Sequence, residues 1–408
     1  MNELLENKKI IKNIEKILDE YKLCDHCIGR LFRKKNIDIS NQIKGKKIRE
    51  KLKKEEIKPK NCYLCEGIVD EVNHYIKLLQ DELKNYEFDT FLIGAKIEED
   101  VIKKEEKIQN LFNFEYSESI KSEINRNIGL SLEKKLEKEV SFDKPTIMAI
   151  IDTQFDVVNL QILSLFIYGR YNKYSREIPQ TKWFCRICRG KGCRKCNYTG
   201  TLYEQSIEEL IAKYFLEETK ASDESFHGAG REDIDVRMLG NGRPFVLEVK
   251  DPAKRKLNFE ELENKINEEY GQFIKVSNLR YSDREEIARI KQTKYKKCYQ
   301  VVFKTNNPIN IEKLKKVVQS LQGKTIKQKT PSRVAHRRAD LTRDKKIYNC
   351  KIESIDDTIA TLVIETESGT YIKELINGDE GRTIPNISDL INNPCKVETL
   401  DVIKIKGE

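Results

Sequence analysis

Hydrophobic positions along the chain change period several times, and each change predicts an element. In residues 1–22, Ile10, Ile14, Ile17, Leu18 and Tyr21 recur at helical spacing among Lys and Glu, which predicts an amphipathic helix. FLIGAKI (91–97) and PTIMAIID (145–152) are short apolar runs that predict strands. Between them, IKSEINRNIGLSLEKKLEKEV (120–140) has helical period, and QILSLFIYGRY (161–171) reads as helical too. Further on, SIEELIAKYFLEETK (206–220) and NIEKLKKVVQSLQ (310–322) predict helices. RPFVLEVK (243–250), YQVVFK (299–304) and TIATLVIETE (358–367) predict strands. The expected class is α+β. Four segments follow: a helix and cysteine module over 1–70, an α/β module over 71–180, a cysteine knuckle over 181–204, and a larger α+β domain over 205–408. A length of 408 residues is enough for two or three domains.

Charge is uneven. The net charge is +9, yet residues 168–198 alone carry +8 and residues 323–346 carry +7, so the rest of the chain is net negative. The first basic window also holds Tyr168, Tyr171, Tyr174, Trp183, Phe184 and Tyr198. Cations interleaved with flat aromatic surfaces suit RNA, and a solvated loop is the plainer reading. No run of about 18 apolar residues exists, and the N-terminal helix is amphipathic, so neither a transmembrane helix nor a signal peptide is expected. The expected location is the cytoplasm.

Eight of the eleven cysteines form CxxC pairs: Cys24/Cys27, Cys62/Cys65, Cys185/Cys188 and Cys193/Cys196. A CxxC turn aims two thiolates at one tetrahedral ion, and two turns complete a Cys₄ site. In a cytosolic protein this reads as one or two structural Zn²⁺ sites rather than disulfides. The second quartet, CRICRGKGCRKC, is the tighter, with Gly190 and Gly192 permitting the reversal between its halves. Only four histidines are present, and His26, inside the first CxxC, is expected to face solvent rather than a metal.

The segment GAGREDIDVRMLGNGRPFVLE (228–248) concentrates charge beside glycine. Alternation from Arg231 would place Asp233, Asp235 and Arg237 on one strand face, with GNG (240–242) as a hairpin turn. On physics alone this is a structural ion pair or a carboxylate site, with equal weight. No Ser-His-Asp set, phosphate loop or dinucleotide fingerprint is apparent.

AGRED resembles the catalytic loop of pseudouridine synthases, in which an Arg-x-Asp tripeptide carries the essential aspartate. The longer string GREDIDVRMLGNGRPF is similar to that of the archaeal and eukaryotic tRNA pseudouridine synthases, the tenth family in the usual naming. SREIPQTKW (175–183), QKTPSRVAHRR (328–338) and SGTYIKELINGDEGRTIPNISDL (368–390) carry the same resemblance. It is strong over 205–408 and weaker over 1–180. There it implies a zinc-stapled THUMP-type RNA-binding domain, ahead of a catalytic domain built on a mixed antiparallel sheet.

The resemblance implies Asp233 as the catalytic carboxylate, with Asp235 as runner-up. It implies Lys373 as the cation that pairs with the aspartate, since a carboxylate in a partly dry pocket otherwise takes up a proton. Tyr299 would stack on the uracil and relay a proton, with Tyr295 as the local alternative. Tyr371, Ile372 and Leu400 would line the pocket, and Arg231, Arg333, Arg337 and Arg338 would hold RNA. The implied activity is conversion of uridine to pseudouridine at positions 54 and 55 of the tRNA T-loop, by flipping the base and without a catalytic cofactor or guide RNA. The expected partner is tRNA, met at its T-arm and elbow by a monomer. A non-catalytic zinc protein that binds tRNA or rRNA is the rival reading, and it leaves the Asp233, Tyr299 and Lys373 stretches unexplained; another THUMP-bearing enzyme would need a glycine-rich methyl-donor loop or an SGGxDS-type loop, and neither is found.

Overall fold

The structure, a computed structural model, describes residues 8–31, 39–112 and 117–407. The chain divides into two units, Met1–Leu163 and Ser164–Glu408.

In the first unit, α1 (Lys8–Glu20) is the helix expected from the N-terminal period, with Ile14 and Ile17 buried; the side chain of Ile10 lies outside the described residues. It is followed by α2 (Asp25–Leu31), α3 (Asn41–Leu52), α4 (Val72–Leu83), β1 (Thr90–Lys96), α5 (Glu99–Phe112), α6 (Ile120–Leu136), β2 (Glu139–Val140), β3 (Ile147–Asp152) and β4 (Val157–Ile162). The sheet order is β2-β1-β3-β4, with β1 parallel to β2 and β3, and β3 antiparallel to β4. Every second residue of β1 is buried, because one face of the sheet carries the core. A single core runs from Ile14 through Cys24, Cys27, Cys62 and Cys65 to Ile151. The cysteine module expected over 1–70 therefore shares its core with the α/β module.

The second unit contains β5 (Leu165–Lys173), α7 (Ile207–Thr219), β6 (Asp223–Gly228), β7 (Arg237–Lys250), α8 (Phe259–Tyr270), β8 (Ile274–Ser282), α9 (Arg284–Gln292), β9 (Lys296–Thr305), α10 (Ile311–Leu321), β10 (Thr325–Lys329), β11 (Thr342–Asp356), β12 (Ile359–Thr366), α11 (Ile372–Asn377), β13 (Thr383–Ile384), α12 (Ile387–Ile391) and β14 (Cys395–Lys406). Ten strands form one mixed sheet in the order β13-β10-β11-β12-β9-β14-β7-β5-β8, with β6 also on β7. All its pairings are antiparallel except β14 with β7.

Three expectations are corrected. QILSLFIYGRY is not a helix: it is the end of β4 and most of β5. All nine residues of β5 are buried, and a strand covered on both faces loses the alternation that distinguishes it from a helix. Because β5 hydrogen-bonds to β7 and β8, the boundary expected after residue 180 falls between Leu163 and Ser164. GNG is not a hairpin but a kink inside one 14-residue strand, β7. Gly240 and Gly242 have φ of +61° and +70°, and a Cβ on Gly240 would lie 1.9 Å from the Ile403 carbonyl oxygen. Asn241, between them, bonds both ways with the backbone of Ile405, at 2.7 and 3.0 Å. The kink lets one strand pair with β14 at Arg237 and Met238 and with β5 beyond.

Candidate active site

Residues 229–236 form an irregular loop between β6 and β7, not the strand expected from alternation. The loop is held from behind by buried polar side chains. The Lys173 ammonium, at the end of β5, donates to the carbonyls of Ile178, Asp233 and Ile234 at 3.0, 3.3 and 2.7 Å. The Tyr171 hydroxyl donates to the Glu232 carboxylate at 2.9 Å. Arg243 meets Glu232 at 2.9 Å, and both side chains are 1% exposed. Arg243 also donates to the Ala229 carbonyl at 2.8 Å, and Gln180 to the Gly230 carbonyl at 3.0 Å. A buried charge pair is tolerated where its remaining hydrogen-bonding capacity is met, and this one fixes the backbone that carries Asp233.

Asp233 itself is a third exposed. Its carboxylate accepts from Arg333 at 2.8 Å, and the Lys373 ammonium lies 3.9 Å away. Lys373 is closer to Asp235, at 2.7 Å. The expected Lys373 pairing is thus shared between two aspartates, and the nearest cation to Asp233 is Arg333, for which only RNA holding was expected. Arg333 also donates to Glu374 at 2.6 Å, so its fork spans two carboxylates. Burial opposes ionisation of Asp235, but the hydrogen bonds from Lys373 outweigh it and hold the carboxyl below its usual range. Arg237 does not face these aspartates; it pairs with Asp401 at 2.7 Å, as does Arg176.

A cavity of about 240 Å³ opens beside Asp233. Its lining includes Tyr299, Tyr371, Ile372, Lys373, Leu400, Arg231, Arg333 and Arg338. Tyr299 faces it from β9, flanked across the sheet by Ile364 and Val402. Burial pushes the Tyr299 phenol up to about 12, with Arg243 opposing. Tyr295 is not among the lining residues. Gln328 bonds both ways with the Tyr371 backbone, at 2.8 and 2.9 Å, and Arg338 donates to the Tyr371 hydroxyl at 3.0 Å. The side chain of Arg337 lies outside the described residues. A second cavity, of about 470 Å³, is also lined by Asp233, Arg231, Arg333, Arg338 and Lys373, and reaches Trp183 and Tyr203. The Arg231 guanidinium lies 5.0 Å over the Trp183 ring.

One residue that sequence reasoning passed over is Lys297. It lines the first cavity two positions before Tyr299, is 6% exposed, and its side chain makes no hydrogen bond or ion pair. Burial, reinforced by Arg243, lowers its ammonium to about 7. Gly230, at φ +83°, leaves it room: a Cβ there would lie 3.0 Å from the Lys297 nitrogen. A lysine in step with Tyr299, Val301 and Phe303, on the face of the strand that alternation assigns to the core, was the signal available.

The cysteines gather as two quartets, Cys24/Cys27/Cys62/Cys65 and Cys185/Cys188/Cys193/Cys196, with the sulfurs of each within 4.8 Å of one another. Tetrahedral zinc with Zn–S near 2.3 Å implies S···S edges of about 3.8 Å. The observed Cys24–Cys65, Cys27–Cys62, Cys185–Cys193 and Cys188–Cys196 separations are 3.6, 3.4, 3.9 and 3.8 Å. Both donor sets fit the ion. Arg30, fully buried, donates to the Cys27 sulfur at 3.0 Å and to Glu105 at 3.0 Å, which offsets thiolate charge in the core. His26 does not face solvent as expected; it is half-buried, 3.1 Å from Glu123, and is not part of the quartet.

Comparison with known proteins matches two family models. Residues 166–406 match "Pus10, C-terminal", and residues 75–152 match "Pus10 THUMP domain, archaeal". A Methanocaldococcus jannaschii protein named tRNA pseudouridine synthase Pus10 is 42% identical, covering 98% of this chain and 97% of that protein. The proteins of that name from Methanothermobacter marburgensis and Pyrococcus furiosus are each 38% identical over 97% of this chain and 98% of their own. Among solved structures, a Cbf5-Nop10-Gar1 complex matches 58% of this chain and 48% of its own at 13% identity and a TM-score of 0.33.

Proposed function

This chain belongs to the Pus10 family of tRNA pseudouridine synthases, and from that premise we propose that it isomerises uridines 54 and 55 of the tRNA T-loop, with Asp233 as the catalytic carboxylate. The supporting observation is the meeting of Asp233, Arg333, Lys373 and Tyr299 at one cavity with apolar walls. Pseudouridylation breaks the N1–C1′ bond, turns the uracil and rejoins it through C5, which then loses its proton. Nothing is oxidised and no group is imported, so the proteins of this reaction work without a catalytic cofactor. The base leaves its stack to reach the pocket. An ionised carboxylate serves either as nucleophile at the ribose C1′ or as base at C2′. Arg333 and Lys373 offset its charge and hold its direction. Tyr299, kept protonated by burial, lies against the base and offers its hydroxyl to proton transfer. Ile372 and Leu400 supply apolar contact, with Tyr371 beside them. Arg231, Arg338 and Arg337 hold the RNA backbone, which positions the substrate without reading its sequence.

Each quartet holds a structural zinc ion in this reading: Cys24, Cys27, Cys62 and Cys65 in the first unit, and Cys185, Cys188, Cys193 and Cys196 in the second. When bound, the ion ties two CxxC turns together, distant in the chain in the first quartet and adjacent in the second, and takes no part in the reaction. The enzyme works as a monomer in the cytoplasm, on the T-arm and elbow, without guide RNA. Among the described residues, no helix is long and apolar enough to cross a membrane.

The test is incubation with an unmodified tRNA transcript and no added cofactor, followed by carbodiimide–primer-extension mapping. New pseudouridine at 54 and 55 is expected with the native protein, none with Asp233→Ala, and a measurable remainder with Asp235→Ala. Full activity in Asp233→Ala would overturn the assignment of the carboxylate.

A further inference from the structure

The geometry points to the cysteine knuckle, residues 184–200, as a second RNA-contact surface, one that grips the substrate backbone beyond the nucleotide held at Asp233. This rests on the tRNA reading above and adds to it which surface meets the rest of the strand.

Three observations carry it. First, the knuckle presents Arg186, Arg189, Lys191, Arg194 and Lys195 to solvent and contains no acidic residue. None of the five makes an ion pair or hydrogen bond through its side chain. Other surface cations of this unit find acids, as Lys213 finds Glu269, Lys250 finds Asp223 and Arg280 finds Glu286, and what sets the knuckle apart is five unpaired cations within ten residues. A cluster of like charges with no counter-charge is repulsive unless an anion meets it. Second, Phe184, Ile187 and Tyr198 stand 59%, 63% and 71% exposed in the same seventeen residues. Cations interleaved with flat side chains match phosphates interleaved with bases or riboses. A membrane or protein partner has no such alternation.

Third, the knuckle is continuous with the candidate active site. Its ends are joined by an antiparallel bridge, Phe184 with Thr201, and by the Leu202 amide bonding to the Trp183 carbonyl at 2.8 Å. Trp183 and Tyr203 at its base meet edge to face at 5.6 Å, and both line the cavity of about 470 Å³ that also reaches Asp233 and Lys373. Arg231, of the aspartate loop, lies over Trp183. A strand whose base enters the pocket thus passes a surface of aromatic rings and then free cations. The Cys₄ set gives that surface a fixed shape, so little conformational freedom is lost on binding.

The experiment is binding of an unmodified tRNA transcript to the full-length protein, by fluorescence anisotropy across a salt series. The variants are Arg189→Ala/Lys191→Ala/Arg194→Ala and, separately, Phe184→Ala/Tyr198→Ala. Zinc content and circular dichroism of each confirm that the fold is kept. The triple variant is expected to bind about tenfold or more weakly near 0.15 M salt, with the slope of log K against log salt shallower by about 2, as three lost phosphate contacts require. The aromatic pair is expected to weaken binding with the slope unchanged. Native affinity and slope in the triple variant would overturn the inference, whether or not pseudouridine is formed. Absence of pseudouridine with the native protein would instead overturn the functional reading, and the binding series would still report on the knuckle.

Discussion

Lys297 is the residue whose chemistry departs furthest from its sequence surroundings. Its pKa near 7 lies below the ordinary lysine value of 10.5. Between those values the unfolded chain binds a proton that the folded chain does not. The folded state is therefore penalised at low pH, and this group's contribution to stability rises as pH increases from about 7 to 10.5. Lys297→Met removes the penalty. In urea unfolding, the variant is expected to gain on the native protein at pH 6 and to lose that gain by pH 10, a difference on the order of 4 kcal/mol. An offset independent of pH would show that the lysine is not desolvated as the fold implies. Asp233 makes the opposite case. Its place in AGRED marked it at once, because the motif is local and contiguous. Lys297 carries no such motif: its character comes from Glu232, Arg243 and Gly230, which the chain places at least fifty residues away.

The short segment Ser332–Arg337 between β10 and β11 shows what an element adds to a residue list. Ser332 anchors it to Asp379, by its amide at 2.9 Å and also by its hydroxyl. Arg333 then reaches across to Asp233 and Glu374. The resemblance offered Arg333 as one backbone contact among several. Docking of the segment makes it the cation nearest the carboxylate. Arg333→Lys keeps the charge but cannot span both acids. In single-turnover assays at saturating enzyme, the rate of pseudouridine formation is expected to fall about tenfold or more, with tRNA affinity within about twofold of native. A loss confined to affinity would return Arg333 to backbone holding. The β7 kink carries the same lesson. Two glycines around Asn241 read as a hairpin because local turn chemistry cannot tell a reversal from a bend, and only the partners, Ile405 on one side and β5 on the other, decide it.

At the scale of the molecule, the two cysteine quartets sit in unlike surroundings. Cys24, Cys27, Cys62 and Cys65 are at most 2% exposed and form part of the core of Met1–Leu163. The second quartet braces a surface knuckle whose sulfurs are outside the main core of Ser164–Glu408. Removing a metal from a core costs folding free energy of the whole unit, whereas removing it from an appendage costs local order. Cys24→Ser/Cys27→Ser is therefore expected to abolish the thermal transition of the first unit. Cys185→Ser/Cys188→Ser is expected to lower zinc from about two ions per chain to about one, with both transitions kept. Calorimetry and metal analysis on the same samples check this; unchanged zinc in the second variant would refute the knuckle site.

The sequence by itself determined the class of the fold, most helices and strands, the two cysteine quartets and the motif around Asp233. These are encoded locally, in hydrophobic period, in CxxC spacing and in a contiguous string. Tertiary structure decided the rest. It drew β5 into the C-terminal sheet, because a strand buried on both faces carries no period to reveal it. It gave Asp233 to Arg333 and shared Lys373 with Asp235, because which cation lies nearest depends on segments 100 and 140 residues downstream coming together. It also buried Lys297 without a partner and left the knuckle cations free, since burial and the absence of a counter-charge belong to the folded surface and not to any stretch of chain.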